Sequence, residues 1–257
     1  MIKQRALPNP NNERVEELYE KELLRLKTPG ALKNQLTDID RCGPFRRIYL
    51  MGCGRSGTWL LTHVMGTFQE TEVVLRELTF EYFGLFATSG STLILKRDRI
   101  AYQRIEQIPE CIEIAYILRH PFDVLTSHLP SSNRPYHILP DRWLGEMKSL
   151  QYLLDTGRNN TKVIRYEDLV CTPREVQAEL ARFFGLRVGV SIDTLCTTSN
   201  NPTESVAHLA RTIDKDSIDK YKRDPKKIEY LKTIKSTLGR TLEWVAKTYS
   251  YDVSLQY

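Results

Sequence analysis

The chain has 257 residues, of which 41% are hydrophobic and 27% charged, and a chain of this length can bury a core without disulfides or metals. The formal net charge of +5 is too mild to indicate a nucleic-acid partner, and it suits a small anionic ligand. The sequence shows no apolar run long enough for a membrane span, no secretory signal and no paired cysteines, so we expect a cytoplasmic protein without disulfides or a metal site.

The first 45 residues differ in character from the rest of the chain. Residues 13–27 carry apolar side chains at helical spacing and predict an amphipathic helix, and residues 28–45 read as a polar connector. We therefore divide the chain into an N-terminal helix with its connector, 1–45, and an α/β domain, 46–257.

The α/β domain alternates predicted strands and helices. We predict strands over 47–51, 71–75, 91–95, 112–118 and 161–166, and helices over 58–68, from 121 onward, over 141–156 and over 173–184. Alternation of this kind predicts a largely parallel sheet with helices on both faces. The densest basic stretch, 211–235, is expected to be a solvated helix face.

A glycine-rich loop, residues 52–57 (GCGRSG), joins the first predicted strand to the first helix of this domain. Glycines at such a junction let backbone N–H groups approach an anion, and the helix N-terminus favours negative charge. The loop therefore predicts a phosphate-type ligand.

The loop alone is compatible with more than one nucleotide site. It matches the dinucleotide pattern G-x-G-x-x-G, and Glu77 stands where a ribose-binding acid would be expected, which predicts an NAD(P)-type oxidoreductase. It also approaches the nucleoside triphosphate loop, but Thr58 and Trp59 replace the Lys and Ser/Thr that reach the terminal phosphates and hold magnesium. The strand over 112–118 ends in Arg119 rather than an acid, so we expect no metal.

A third interpretation uses more of the chain. The run Arg55-Ser56-Gly57-Thr58 after an apolar strand resembles the 5′-phosphosulfate loop of the sulfotransferases that use 3′-phosphoadenosine 5′-phosphosulfate (PAPS). Trp59 stands where that family commonly has a second Thr. The resemblance implies that the donor nucleotide contacts the loop residues Gly54, Arg55, Ser56, Gly57, Thr58 and Trp59.

Two later segments carry the same resemblance. Arg119 at a strand end, with Ser127 eight residues later, resembles the family's 3′-phosphate motif, and an Arg fork with a nearby hydroxyl suits a phosphate monoester. The run 165–169 (RYEDL) resembles a later family segment, in which Tyr166 matches a tyrosine that lies against the adenine. Residues 217–222 look like a loose version of the loop that closes on the 3′-phosphate, with Lys222, or else Lys215 or Lys220, as the candidate contact. Together these segments cover about residues 46–186, with a weaker extension beyond.

The resemblance implies a three-layer, P-loop NTPase-like α/β fold with a central parallel sheet of about five strands. It also implies transfer of a sulfuryl group from PAPS to an acceptor hydroxyl, with adenosine 3′,5′-bisphosphate as the product and no metal. We expect the acceptor to be a carbohydrate, with a phenolic or other small-molecule hydroxyl left open.

The resemblance also suggests catalytic residues. Arg55 and Lys96 are expected to face the transferring group, and Glu77 is expected to take the acceptor proton, with Glu81 and Asp98 as alternatives. Cytosolic members of the family place a His where Asp98 stands. That departure, with Trp59, leaves open a nucleotide-binding module without turnover.

Overall fold

The structure is a computed structural model that describes residues 45–84, 91–128, 134–193 and 213–255. The predicted helix over 13–27 and all but the last residue of the predicted connector lie outside the described residues. The division of the chain at residue 45 therefore stays a prediction.

A parallel sheet of five strands forms the centre of the described chain. Its strands are β1 (Arg46–Met51), β2 (Thr71–Leu78), β3 (Thr92–Arg97), β4 (Ile112–Leu118) and β5 (Thr161–Arg165). The order across the sheet is β2-β3-β1-β4-β5, and every neighbouring pair is parallel. The three central strands are almost wholly buried because helices cover both faces of the sheet. The predicted α/β fold is confirmed.

Six helices of the described residues lie on the two faces of this sheet. They are α1 (Thr58–Met65), α2 (Pro121–Leu125), α3 (Pro140–Asp155), α4 (Tyr166–Cys171), α5 (Pro173–Phe183) and α6 (Pro225–Tyr249). Helices α1, α4 and α5 pack with Ile48 and Leu50 on one face, and α2, α3 and α6 pack on the face of Tyr49 and Met51. Alternate side chains of β1 thus enter two separate cores, which gives the three layers. Within the described residues, no helix has the length and apolar character needed to cross a membrane.

Several boundaries differ from the predicted ones. Helix α1 ends at Met65 instead of 68, because Gly66 follows and its N–H closes the last turn. The helix predicted from Pro121 is only five residues long, and the His120 side chain caps it by accepting from the Phe122 N–H.

Helix α6 is longer and more buried than the basic stretch suggested. Its buried residues Leu231, Leu238, Leu242 and Val245 recur at helical spacing and pack against the core that holds α3. The positive φ of Gly239, 45°, kinks the helix. The lysines therefore occupy the solvent side of a helix that is part of the core.

Strand β2 contains an irregularity that the sequence pattern does not predict. Val74 pairs with Leu95, but the next pairing joins Glu77 to Lys96, so Leu75 and Arg76 bulge out of the ladder. The strand predicted to end at 75 consequently continues to Leu78. The bulge places Glu77 directly opposite Lys96, near the carboxyl end of the sheet.

The start of the glycine loop is packed tightly against β4. Gly52 has φ 143°, and a Cβ at this position would lie 2.4 Å from the Ile117 carbonyl oxygen and 2.8 Å from the Ser56 Oγ. Only glycine can take this backbone conformation and leave this space.

Replacing Gly52 by Ala should therefore cost more stability than a glycine replacement elsewhere. Gly157 is a matched control, since its φ is also positive, 67°, but nothing lies within 4 Å of its Cβ position. We expect Gly157→Ala to lower the free energy of unfolding by about 1 kcal/mol and Gly52→Ala by about 3 kcal/mol or more. Urea denaturation measures both, and equal losses would contradict the packing argument.

Candidate active site

The glycine loop lies at the carboxyl end of β1 and leads into α1. Arg55 and Gly57 have positive φ values of 70° and 101°, and the Ser56 hydroxyl donates to the Cys53 carbonyl at 2.6 Å. Gly57 is the N-cap residue of α1 and offers no side chain to the first-turn amides. Those N–H groups are therefore available to an anion, as the sequence predicts.

Arg119, at the carboxyl end of β4, holds the loop to three other segments. Its Nη1 donates to the Arg55 carbonyl at 3.2 Å, and its Nη2 donates to the Ser217 carbonyl. The guanidinium lies 4.4 Å from the ring centroid of Tyr166 and 3.7 Å from the Asp123 carboxylate. Its Nε is buried and has no hydrogen-bond partner among the described residues. The structure thus brings together Arg119, Tyr166 and the loop, which are far apart in sequence.

Ser127 also lies against the glycine loop. The Arg55 Nε donates to the Ser127 Oγ at 2.9 Å, and the Arg55 Nη2 donates to the His128 carbonyl at 3.3 Å. The two residues are separated by 72 positions in the chain. Their contact joins the predicted 5′ site to the predicted 3′ site.

The segment that contains Lys222 packs beside Arg119. The Asp123 carboxylate accepts hydrogen bonds from the backbone N–H groups of Asp219 and Tyr221, at 2.9 and 3.2 Å. The Ser217 Oγ lies 2.6 Å from the Tyr166 hydroxyl. Lys222 itself is partly exposed, and its Nζ donates to Asp219 at 2.9 Å.

Lys96 and Glu77 form an ion pair at the carboxyl edge of β2 and β3. The Lys96 side chain is 1% exposed, and its Nζ donates to the Glu77 Oε1 at 3.1 Å. Burial lowers the pKa of Lys96, while the charge and hydrogen bond of Glu77 oppose that shift. The arrangement supplies a desolvated ammonium next to a carboxylate that is 45% exposed, which is a suitable pair for acid–base chemistry.

Trp59 covers this ion pair. Its ring centroid lies 3.9 Å from the Lys96 Nζ, and the side chain is 46% exposed. Trp59 thus belongs to the wall of the site and lies outside the core.

The two alternative bases are placed differently. Glu81 is buried and forms an ion pair with Arg104, so its carboxylate already has a cationic partner. Asp98, just beyond β3, is half-buried, and its Oδ1 has no hydrogen-bond partner within the described part of the chain. Burial raises the pKa of Asp98. Among these three acids, Glu77 is the one in contact with Lys96.

A buried ionic cluster near the loop was missed in the sequence analysis. The Glu146 carboxylate in α3 lies 3.6 Å from the Arg97 Nη2 and 3.7 Å from the Arg142 Nη2. Arg142 also reaches the loop, since its Nη2 is 3.8 Å from the position of a Cβ on Gly54. The signal available in the sequence was Glu146 itself, an acid on the apolar side of a predicted helix, one turn after Arg142.

No metal site is visible in the ranges that the structure describes, where no group of three or more His, Cys, Asp or Glu side chains could hold an ion.

A cavity of about 370 Å³ lies near the amino ends of β4 and β5 and is lined by Ile105, Tyr152 and Arg158 among others. Ligands of open parallel sheets bind at the carboxyl ends of the strands, where the glycine loop lies.

Glu146 should make the stability of the protein depend on pH. Burial raises the pKa of Glu146 from 4.5 to about 7, against the charges of Arg97 and Arg142. Between about pH 4.5 and 7 the folded state therefore holds a proton that the unfolded state releases, and stability falls as pH rises. Relative to Glu146→Gln, which cannot titrate, the wild type should lose about 2–3 kcal/mol over this range. Urea unfolding of both proteins at four pH values checks this, and a constant difference would refute it.

No family model and no curated protein matches the chain. Among solved structures, the sulfotransferase domain from the Synechococcus PCC 7002 olefin synthase superposes with a TM-score of 0.56 at 17% identity, covering 82% of this chain and 97% of that one. The sulfotransferase domain from the curacin biosynthetic pathway superposes with a TM-score of 0.55 at 16% identity, covering 82% of this chain and 99% of that one. Mouse sulfotransferase SULT7A1 complexed with PAP superposes with a TM-score of 0.53 at 15% identity, covering 85% of this chain and 93% of that one. The chain therefore has the fold of the sulfotransferases.

Proposed function

We propose that this protein is a sulfotransferase that moves a sulfuryl group from PAPS to an acceptor hydroxyl. One observation carries the proposal: the glycine loop, Arg119, Ser127 and Tyr166 meet at the carboxyl edge of a sulfotransferase-fold sheet. A dinucleotide site would account for the loop and leave the other three residues unexplained. It would also assign Glu77 to a ribose, although Glu77 is paired with the buried Lys96.

The residues at this edge suit an adenosine bisphosphate carrying a sulfuryl group. The loop from Gly54 to Thr58 and the first-turn amides of α1 would hold the 5′ end. The Nε of Arg119, which has no hydrogen-bond partner among the described residues, and the Ser127 hydroxyl would bind the 3′-phosphate, and Tyr166 would lie against the adenine. Lys222 would approach the 3′-phosphate from the neighbouring segment. The Ser127 hydroxyl accepts from Arg55 and can still donate its own hydrogen to a phosphate oxygen.

The chemistry is an in-line displacement at sulfur. The acceptor oxygen forms a bond to sulfur as the bond from sulfur to the 5′-phosphate oxygen breaks, and the Glu77 carboxylate takes the acceptor proton. Lys96, with Arg55 from the loop, stabilises the negative charge on the transferring group and on the departing oxygen. Trp59 keeps water from Lys96, which strengthens that electrostatic effect.

For the acceptor we favour a carbohydrate hydroxyl, since a Glu soon after the loop helix is the base in tyrosylprotein and some glycan members of the family that the sequence resembles. A phenolic or other small-molecule hydroxyl is the alternative. We place the activity in the cytoplasm, in keeping with the odd number and wide spacing of the cysteines in the sequence.

Ligand-induced stabilisation tests the proposal directly. Adenosine 3′,5′-bisphosphate should raise the melting temperature by mass action, while ATP with Mg²⁺ and NADPH should raise it much less. The rise should shrink in Ser127→Ala, which lacks the hydroxyl proposed to reach the 3′-phosphate. A rise with NADPH and none with the bisphosphate would favour the dinucleotide interpretation. Tight bisphosphate binding without transfer of radiolabelled sulfate from PAPS to any sugar, phenol or amine would indicate the inactive module.

Replacing the proposed base or the proposed cation should lower turnover without lowering the affinity for the nucleotide. We expect Glu77→Gln to lower turnover by about 10²–10⁴-fold and Lys96→Met by about 10²–10³-fold, with bisphosphate affinity nearly unchanged in both. In Glu77→Gln the Lys96 pKa also falls, because the opposing charge is gone, so the loss of activity at high pH should begin at a lower pH. Single-turnover rates over a pH series, with calorimetry for affinity, measure these effects.

Glu72→Gln is the matched control, because Glu72 lies toward the amino end of the same strand and pairs with Leu93. It should change neither turnover nor affinity. Normal turnover in Glu77→Gln would show that Glu77 is not the base, and Asp98 would then be tested as the base.

A further inference from the structure

Four arginines lie close enough to His137, beside the glycine loop, for their charges to act on it. Burial lowers the pKa of His137, and the charges of Arg142, Arg55, Arg99 and Arg134 lower it further. The His137 N–H donates to the Ser127 carbonyl at 3.0 Å, which ties this group of side chains to the proposed donor site. The arginines come from the loop, from the chain after β3 and from both sides of the start of α3, so the fold itself assembles them.

Arg142 is held by contacts with the segment after β3 and with Glu146. Its Nη2 donates to the Arg99 carbonyl at 3.4 Å and lies 3.7 Å from the buried Glu146. Glu146 is in turn 3.6 Å from Arg97, the residue after Lys96. Arg142 is thus connected through Glu146 to the strand that carries the proposed catalytic lysine, and its guanidinium lies against Gly54.

Basic residues outnumber acids in this region. The described segments 97–99 and 134–146, together with Arg55, carry five arginines and three acids, and Arg97 and Arg142 share one of these acids, Glu146. Arg99 is exposed and the Arg142 side chain is 25% exposed. These arginines therefore make the surface beside the glycine loop cationic, at the end of the sheet where the acceptor of the proposed reaction has to lie.

We propose that the acceptor carries a carboxylate, which Arg142 and the neighbouring arginines bind while the hydroxyl lies at Glu77. This inference rests on the proposed function, because it assigns the substrate class of the same site. A guanidinium is planar and matches a carboxylate with two parallel hydrogen bonds, which fixes the orientation of the acceptor as well as attracting it. Glu146 is then a positioning residue for Arg142.

Two pairs of probes that differ only in this charge test the proposal. The first is phenyl β-D-glucuronide with phenyl β-D-glucoside, and the second is 4-hydroxybenzoate with its methyl ester. Binding to the bisphosphate-saturated protein is measured by calorimetry, and kcat/KM is measured with PAPS. The carboxylate should be favoured about tenfold or more in at least one pair, through affinity and KM rather than kcat.

Arg142→Gln should reduce this preference to less than about threefold, mainly because the carboxylate-bearing probe of each pair binds more weakly. The KM for PAPS and the affinity for the bisphosphate should stay unchanged. Arg142→Lys keeps the charge without the planar fork and should recover part of the preference. Arg182→Gln is the matched control, since Arg182 is an exposed arginine on α5, on the other face of the sheet. It should behave as the wild type. If Arg142→Gln does not fold, the exposed Arg99→Gln provides the same comparison.

The possible failures can be told apart. Equal binding of the charged and neutral members, or an equal effect of Arg142→Gln on both, overturns the carboxylate proposal and leaves the sulfotransferase function intact. A variant that loses affinity for the bisphosphate instead assigns Arg142 to the donor, which also overturns it. Absence of bisphosphate binding in the wild type overturns the proposed function itself, and the calorimetric comparison of the probe pairs on the protein alone then decides the carboxylate proposal.

Discussion

The organisation of the site depends on one guanidinium, that of Arg119. It binds the Arg55 carbonyl of the glycine loop and the Ser217 carbonyl, and it stacks on Tyr166 of α4. Asp123, one turn further along, both pairs with Arg119 and accepts from the backbone near Tyr221. A strongly desolvated charge requires several fixed partners, so the burial of Arg119 constrains four chain segments at once. These contacts hold the loop, Tyr166 and the segment around Ser217 in fixed positions relative to one another.

A second charged centre, Lys96, lies across the loop from Arg119. Burying an ammonium is costly, and the structure offsets this cost with the Glu77 carboxylate and the face of Trp59. The bulge in β2 is what makes the Glu77 contact possible, because regular pairing after Val74 would place Leu75 opposite Lys96. Trp59, which stands where the loop that the sequence resembles has a second Thr, thus leaves the loop without that hydroxyl and adds a hydrophobic cover over the proposed cation.

The buried ions Arg97, Glu146 and Arg142 extend this arrangement away from the donor. Lys96 and Arg97 are consecutive, so their side chains point to opposite faces of β3. One therefore meets Glu77 and Trp59, and the other meets Glu146 in α3. A single strand end consequently positions both the proposed chemistry and the arginine proposed to bind the acceptor.

The sequence by itself determined the parallel α/β fold, because apolar strands alternate with helices, and it located the loop, Arg119 and Tyr166 at strand ends that meet at one edge of such a sheet, with Ser127 in the segment that follows Arg119. It did not determine the length of α6, the bulge that brings Glu77 to Lys96, the position of Trp59 over that lysine or the pairing of Glu146 with Arg97 and Arg142. The length of α6 depends on apolar packing against the core that holds α3, and the other three features depend on which partners the buried charges find in the folded chain. Hydrophobic periodicity reports which face of an element is buried; only the tertiary structure decides which partner a buried charge finds there.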